Sequence, residues 1–476
     1  MRKTFCRHCA MAVGVLLLLV FSGCADLSDV LVELWELEAP PEERPGTVES
    51  APDEKPEPEA SPIPTKPAAK TQVLCTYFHY FNAGPKTYDQ WSIQGRDPRD
   101  VLGPEKWRRD IWVGRRGDYP YVGIYNNISD ADMIRWHIRL AKASGIEAFL
   151  VYIFNWQTQR SQTQLMLDVA QQEEFKIAFI EHHSLLGGRE IPILDGRPQP
   201  MLPHKYEGYR GILAAQSRRL GVVDGPEYRD ALSQRSRDVP EKALKMAEHR
   251  ISNMLKQWMS HPAYLHVDGK PMMVIPYMVE DLTAENFRRL VENITAEVGR
   301  ELYIVGIVPA VYWYFAPKAV LSTGLTKEWA ETGVSSFTHW TPNGMITASA
   351  RTRSKVVRFH VRDSARWRKD AMIPVMPGFD DDVWRPGDRP APTAPRNNGK
   401  AWGDQLETAL AVKPRFLFIQ GWNEWHEGAQ IEPSTAYRNP YLYLQILAQK
   451  LKRPWYTPEL PAKKSVDSLR RPYLPY

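Results

Sequence analysis

From Gln72 onward, short apolar runs alternate with longer segments of helical period. That alternation restricts the chain to folds built from βα units around a mainly parallel sheet. Eight strands are predicted: Val73–Phe81, Ala148–Asn155, Lys176–His183, Met272–Tyr277, Leu302–Val308, Ser335–Trp340, Met372–Phe379 and Phe416–Trp422. Several are apolar throughout, the pattern of strands covered on both faces. Helices are predicted between them, including one opened by Ser129 as N-cap and others at Glu241–Met259, Ala284–Val298, Gly403–Ala411 and Pro440–Leu451. Eight such units predict an α/β fold of the (β/α)8 TIM-type barrel class over residues 72–460. A doubly wound open sheet is the alternative. It is disfavoured because no glycine-rich phosphate loop follows the first strand, and no GxGxxG, Walker A or G-x-S-x-G occurs. Two connections, 82–128 and 184–240, are too long for simple loops and are predicted to wall the C-terminal mouth of the barrel.

The N-terminal part reads differently. Residues 1–24 have the form of a bacterial lipoprotein signal peptide. Arg2, Lys3 and Arg7 precede the apolar run Ala10–Phe21, which ends in Phe21-Ser22-Gly23-Cys24. Cys24 is the predicted lipidation site. Cys6 and Cys9 form a CxxC, but they lie in the segment to be removed and have no second pair. Residues 25–71 are rich in Pro, Glu and Ala, and are predicted to be a disordered tether. Residues 461–476 form a C-terminal tail. These features predict a lipid-anchored protein of the cell envelope, facing the periplasm or the cell surface, with no other membrane contact. The chain is further predicted to be a monomer. Its 61 basic and 56 acidic residues give a net charge of only +5, without the basic stripe of a nucleic-acid binder. A mean hydropathy of −0.44 excludes a polytopic membrane protein.

The candidate chemistry lies at strand ends. The densest group is Gly421-Trp422-Asn423-Glu424-Trp425-His426-Glu427-Gly428-Ala429-Gln430-Ile431-Glu432-Pro433, after the eighth strand. Glu424 and Glu427 would point to opposite faces of an extended strand. If the chain turns after Glu424, both carboxylates converge on one cavity, the usual apparatus for cleaving a glycosidic bond. Burial beside Trp422 and Trp425 would keep one of them protonated near neutral pH. A zincin reading of His426-Glu427 fails because Gln430 stands where the second histidine belongs. Glu181 and His183 share one face of the third strand and could offer metal ligands, but Glu181 is better read as a partner for sugar hydroxyls. No metal or cofactor is predicted. Tyr77, His79 and Tyr80, Asn155-Trp156, Tyr277, His339-Trp340 and Asp380-Asp381-Asp382 lie at other strand ends. Stacking faces and carboxylates around one rim suit a polyhydroxylated ligand.

The Gly421–Pro433 segment closely resembles the N-E-W-H-E-G-[TS]-Q-I-E motif of glycoside hydrolase family 99, the endo-α-mannosidase and endo-α-mannanase family. His261-Pro262-Ala263-Tyr264 with Asp268-Gly269-Lys270-Pro271, Ala141–Ile146 and Met376–Asp381 resemble further family segments in the expected order. The resemblance implies a (β/α)8 fold and retaining, cofactor-free hydrolysis within an α-linked glycan. It implies that Glu424 deprotonates the sugar 2-hydroxyl, which attacks its own anomeric carbon to give a 1,2-anhydro sugar. Glu427 is then the general acid and, in the second step, the base toward water. Glu181, Tyr277 and Trp156 match substrate-binding positions. Tyr77, Asn423, Trp425, His426 and Asp380 complete the predicted substrate contacts. Departures occur at Gln90-Trp91, where the family has His-Trp, and at Ile180-Glu181-His182-His183. They fall where the sugar on the non-reducing side of the cut would bind.

The expectation is therefore an endo-acting glycoside hydrolase on a mannan-like polysaccharide or oligosaccharide. The alternatives are a non-catalytic glycan-binding surface lipoprotein and a domain associated with polysaccharide biosynthesis.

Overall fold

The computed structural model describes residues 70–82, 120–153, 159–181, 193–194, 197–198, 241–276, 282–309, 327–340, 343–380 and 393–461. The signal segment with Cys24, nearly all of the tether, most of both long connections, Gln90-Trp91, Trp156, His182, His183, Tyr277, Asp381, Asp382 and the tail beyond 461 lie outside the described residues.

Eight parallel strands close into a barrel. They are β1 (Gln72–Tyr77), β2 (Ala148–Ile153), β3 (Lys176–Glu181), β4 (Lys270–Ile275), β5 (Tyr303–Pro309), β6 (Ser336–Trp340), β7 (Asp370–Val375) and β8 (Phe416–Ile419). Each pairs with its neighbours in sequence order, and β8 returns to β1 with Gln72 opposite Phe416 and Cys75 opposite Ile419. β2 is buried along its whole length, and β1, β3, β4 and β7 are buried from their second residue on. That is the reason these strands read as continuous apolar runs. The long helices are α1 (Ala131–Ser144), α2 (Arg160–Gln172), α3 (Glu241–Trp258), α4 (Ala284–Val298), α5 (Ala350–Arg366), α6 (Lys400–Ala411) and α7 (Leu442–Lys450). A short helix, Lys327–Ala330, stands between β5 and β6. The architecture is a (β/α)8 barrel.

Local chemistry sets the ends. The N-cap of α1 is Asp130, not Ser129: its carboxylate accepts from the N–H groups of Asp132 and Met133. The Ser129 hydroxyl instead accepts from the Asn126 side-chain amide. Four strands stop short of the predicted ends within the described residues. β1 ends at Tyr77 rather than Phe81, β4 at Ile275 rather than Tyr277, β7 at Val375 rather than Phe379, and β8 at Ile419 rather than Trp422. The backbone groups beyond β1 find partners outside regular ladders. Phe78 N–H donates to Asn423 Oδ1 at 2.8 Å, and Phe78 O accepts from Asn423 Nδ2 at 2.9 Å. A side-chain amide thus takes the place of a neighbouring strand. The His261–Pro271 stretch serves the opposite end of the barrel. His266–Val267 forms a short antiparallel pair with the start of β4, and the Tyr264 hydroxyl donates to Met272 O at 2.8 Å. Asp268 and Gly269 turn the hairpin with φ of 50° and 76°.

Behind β6, His360 of α5 stacks on Phe337 with centroids 4.7 Å apart, and its Nε2 meets Phe337 O at 3.3 Å. Burial lowers its pKa from 6.5 to about 4. The unfolded chain therefore binds a proton below pH 6.5 that the native state refuses until about pH 4. Native stability contributed by this site is fully present at pH 7 and is lost as pH falls across that window. Urea unfolding at pH 7, 6, 5 and 4.5 should show this loss, and His360→Gln should make the dependence shallower.

Candidate active site

After β8 the chain makes a compact turn. Gly421 N–H donates to Ala429 O, Ala429 N–H to Glu424 O, and Ile431 N–H to both Gly421 O and Trp422 O. The segment folds back on itself within eleven residues, from Gly421 to Ile431, which is the reversal that a paired-carboxylate reading requires. Gly421 permits a close approach: a Cβ there would lie 2.6 Å from Thr76 Oγ1 and 3.5 Å from the Glu424 Cβ. From Gly421 to Ser434 every residue is buried except two, Glu424 and Glu427.

Glu424 has a side chain 13% exposed. Its Oε1 accepts from the His426 backbone N–H at 3.2 Å and lies 3.9 Å from His426 Nδ1. Tyr80 stacks on His426 with an 8° interplanar angle, its hydroxyl 3.4 Å from Nδ1. Loss of hydration, and then the charges of Glu424 and Glu427, push the Tyr80 hydroxyl well above the ordinary tyrosine range. One neutral hydroxyl is therefore within electrostatic reach of both carboxylates. Asp380 is partly exposed, and its N–H donates to Glu427 O at 2.7 Å. Glu181 is the last residue of β3. It is buried and pairs with Arg250 of α3 at 2.9–3.0 Å. Among the described residues no group of three or more His, Cys, Asp or Glu side chains is arranged to hold a metal ion.

Three residues predicted to touch substrate are fully buried. Tyr77, Asn423 and Trp425 are each at most 1% exposed. They belong to a buried polar network around Glu432, a residue the sequence reading left without a role. Glu432 Oε2 accepts from the Tyr125 hydroxyl at 2.7 Å and from Trp425 Nε1 at 2.9 Å, while Oε1 lies 3.1 Å from His137 Nε2. The Tyr77 hydroxyl meets His137 Nδ1 at 3.0 Å and accepts from Asn127 Nδ2 at 3.2 Å. Asn423 Nδ2 adds a 3.3 Å contact to the Tyr125 hydroxyl. The network ties β1, α1 and the turn together. The signal for Glu432 was its place in the motif without any exposed work to do. On the far side, Arg396 bonds Gly428 O at 3.1 Å and Gln430 O at 2.5 Å. Nothing local in the sequence marks that arginine.

Comparison with known proteins bears on the same segment. Residues 239–457 match the glycosyl hydrolase family 99 model. That span runs from just before α3 past the Glu424 turn. A human protein described as glycoprotein endo-alpha-1,2-mannosidase-like is 34% identical over 113 residues, 23% of this chain and 24% of its own length. A Xenopus laevis glycoprotein endo-alpha-1,2-mannosidase is 43% identical over 58 residues, 12% of this chain and 13% of its own. The chain thus aligns with about a quarter or less of these relatives. The family 99 endo-alpha-mannosidase structure from Bacteroides thetaiotaomicron superposes with a TM-score of 0.53 at 16% identity, covering 80% of this chain and 96% of the other. That likeness establishes the fold.

The Glu432 network makes a stability prediction. A buried carboxylate is tolerated only because donors surround it. Glu432→Gln places an amide among groups that all donate, and should lower the unfolding free energy by about 3–5 kcal/mol, the range for breaking one side of a buried pair. Denaturant titration reads this directly. A loss below about 0.5 kcal/mol, the size of an ordinary surface change, would contradict the network.

Proposed function

We propose that the protein is an endo-acting glycoside hydrolase that cleaves internal α-linkages of a mannan-like glycan. One observation carries the reading: in an otherwise buried turn at the C-terminal mouth of a (β/α)8 barrel, only Glu424 and Glu427 reach the surface. A turn that merely packed the barrel would have no reason to expose two neighbouring carboxylates, which repel one another, and to bury the rest. Paired carboxylates at a barrel mouth suit glycosidic cleavage. The family 99 domain and the endo-alpha-1,2-mannosidase descriptions of the relatives support α-mannosidic linkages as the substrate class.

In the proposed mechanism Glu424 takes the proton from the 2-hydroxyl of the sugar on the non-reducing side of the cut. That oxygen attacks its own anomeric carbon, while Glu427 protonates the departing glycosidic oxygen. The product of this step is a 1,2-anhydro sugar. Glu427, now ionised, accepts a proton from water, which attacks the anomeric carbon. The bond between the anomeric carbon and O2 breaks, and O2 recovers a proton from Glu424. Atoms and charges balance without a cofactor. His426 and Tyr80 are placed to hold Glu424 in line, and Glu181, Asp380, Trp156 and Tyr277 are proposed substrate contacts. The enzyme is further proposed to be attached to the cell envelope through a lipid on Cys24, with residues 25–71 as the tether.

The soluble domain from Gln72 should release oligosaccharides of more than one sugar from an α-mannan, followed by mass. Glu424→Gln and Glu427→Gln should each reduce the rate by roughly 10²–10⁴-fold, the range for one general acid–base group. Binding across a panel of α-glycans without cleavage would instead mark a glycan-binding lipoprotein.

A further inference from the structure

The two carboxylates are held from different sides. The Glu424 end of the turn is fastened to β1: Trp422 N–H donates to Thr76 O at 2.8 Å, and Asn423 brackets Phe78. The Glu427 end lies beside the short Phe379–Asp380 pair instead. The carbonyl of Glu427 accepts from Asp380 N–H, and the carbonyls of Gly428 and Gln430 accept from the two terminal nitrogens of Arg396. We propose that Arg396 is a positioning residue for Glu427, acting through the backbone that carries it. The assignment of Glu427 as acid rests on the functional reading above. The positioning itself does not.

The surroundings of Arg396 are built for one orientation. Its guanidinium lies 4.2 Å from the centre of the Tyr443 ring and 5.4 Å from that of Tyr437. Its Nε donates to the Tyr443 hydroxyl at 3.1 Å. A Cβ on Gly378 would sit 2.2 Å from the Arg396 Cγ, so the bare glycine leaves room for the arginine stem. The segment bearing Arg396 is itself pinned beside the turn, since Phe379 and Asp380 pair antiparallel with Ala394 and Thr393. A planar fork reaching two carbonyls at once is a geometry that lysine cannot reproduce.

The test uses Arg396→Lys and Arg396→Ala in the domain from Gln72, which contains the whole barrel. Hydrogen exchange by mass should show peptides covering 427–431 exchanging about tenfold faster in both variants, with peptides covering 72–77 unchanged. Unaltered exchange at 427–431 would overturn the positioning role, whatever the substrate. The kinetic readout is leaving-group dependence. An α-mannan oligosaccharide needs an acid at its leaving oxygen, whereas the corresponding oligomannosyl fluoride departs without protonation. Both variants should lose about 10²-fold in kcat/KM on the oligosaccharide, the size of a general-acid contribution, and less than about threefold on the fluoride. Equal losses on both substrates would mean general disruption and would also overturn the proposal. A wild-type domain that cleaves neither substrate would refute the functional reading, while the exchange result would still decide the positioning role.

Discussion

The buried carboxylate of Glu432 is the interaction on which the candidate site depends. A charge in that position would be expelled from an apolar interior unless donors surrounded it. Tyr125, Trp425 and His137 supply them, and Tyr77 and Asn127 continue the chain of hydrogen bonds into β1 and the segment before α1. Because each member needs the others, the turn after β8 has one packing. Trp425 is drawn inward to meet Glu432, and the residues on either side of it, Glu424 and His426, are placed as a consequence. The element of the site that is costly to bury is thus a hidden acid, and Glu424 and Glu427 lie in the turn it holds.

This arrangement separates holding from chemistry. Asn423 closes the open end of β1, Arg396 and Asp380 fasten the opposite end of the turn, and Gly421 lets the chain pass against Thr76. Asp380 does this fastening through its backbone N–H, not its side chain. Tyr80 and His426 stand between the two groups: they pack on each other and lie beside Glu424. A barrel suits this division, because its strand ends are rigid and its loops can be fastened to them from several directions.

Most of the fold was legible in the residues. β2, β3 and β4 announce themselves as apolar runs because both faces are covered, and α4 falls at Ala284–Val298 as its Thr283 cap and Gly299 stop dictate. The site was legible in part. The spacing of Glu424 and Glu427 pointed to a carboxylate pair once a chain reversal was allowed. The burial of Tyr77, Asn423 and Trp425 was not legible, because neither strand-end position nor motif says which way a side chain faces when the next residues leave the ladder. β1 stops at Tyr77 because of Asn423, a partner 345 residues away from Phe78. Arg396 is 32 residues from Gly428 and follows a connection with no periodicity, so only the folded chain joins them. α5 was not singled out at all, since most of its residues are polar and its buried positions include Arg353, His360 and Ser364.

In the proposed reaction Glu424 and Glu427 cleave an α-glycosidic bond through the substrate's own 2-hydroxyl. Proton NMR of an α-mannan digestion, recorded before mutarotation sets in, tests it most directly. Two successive inversions at the anomeric carbon predict that the new reducing end appears first as the α anomer. First appearance of the β anomer would mean a single direct attack by water, and would contradict the account.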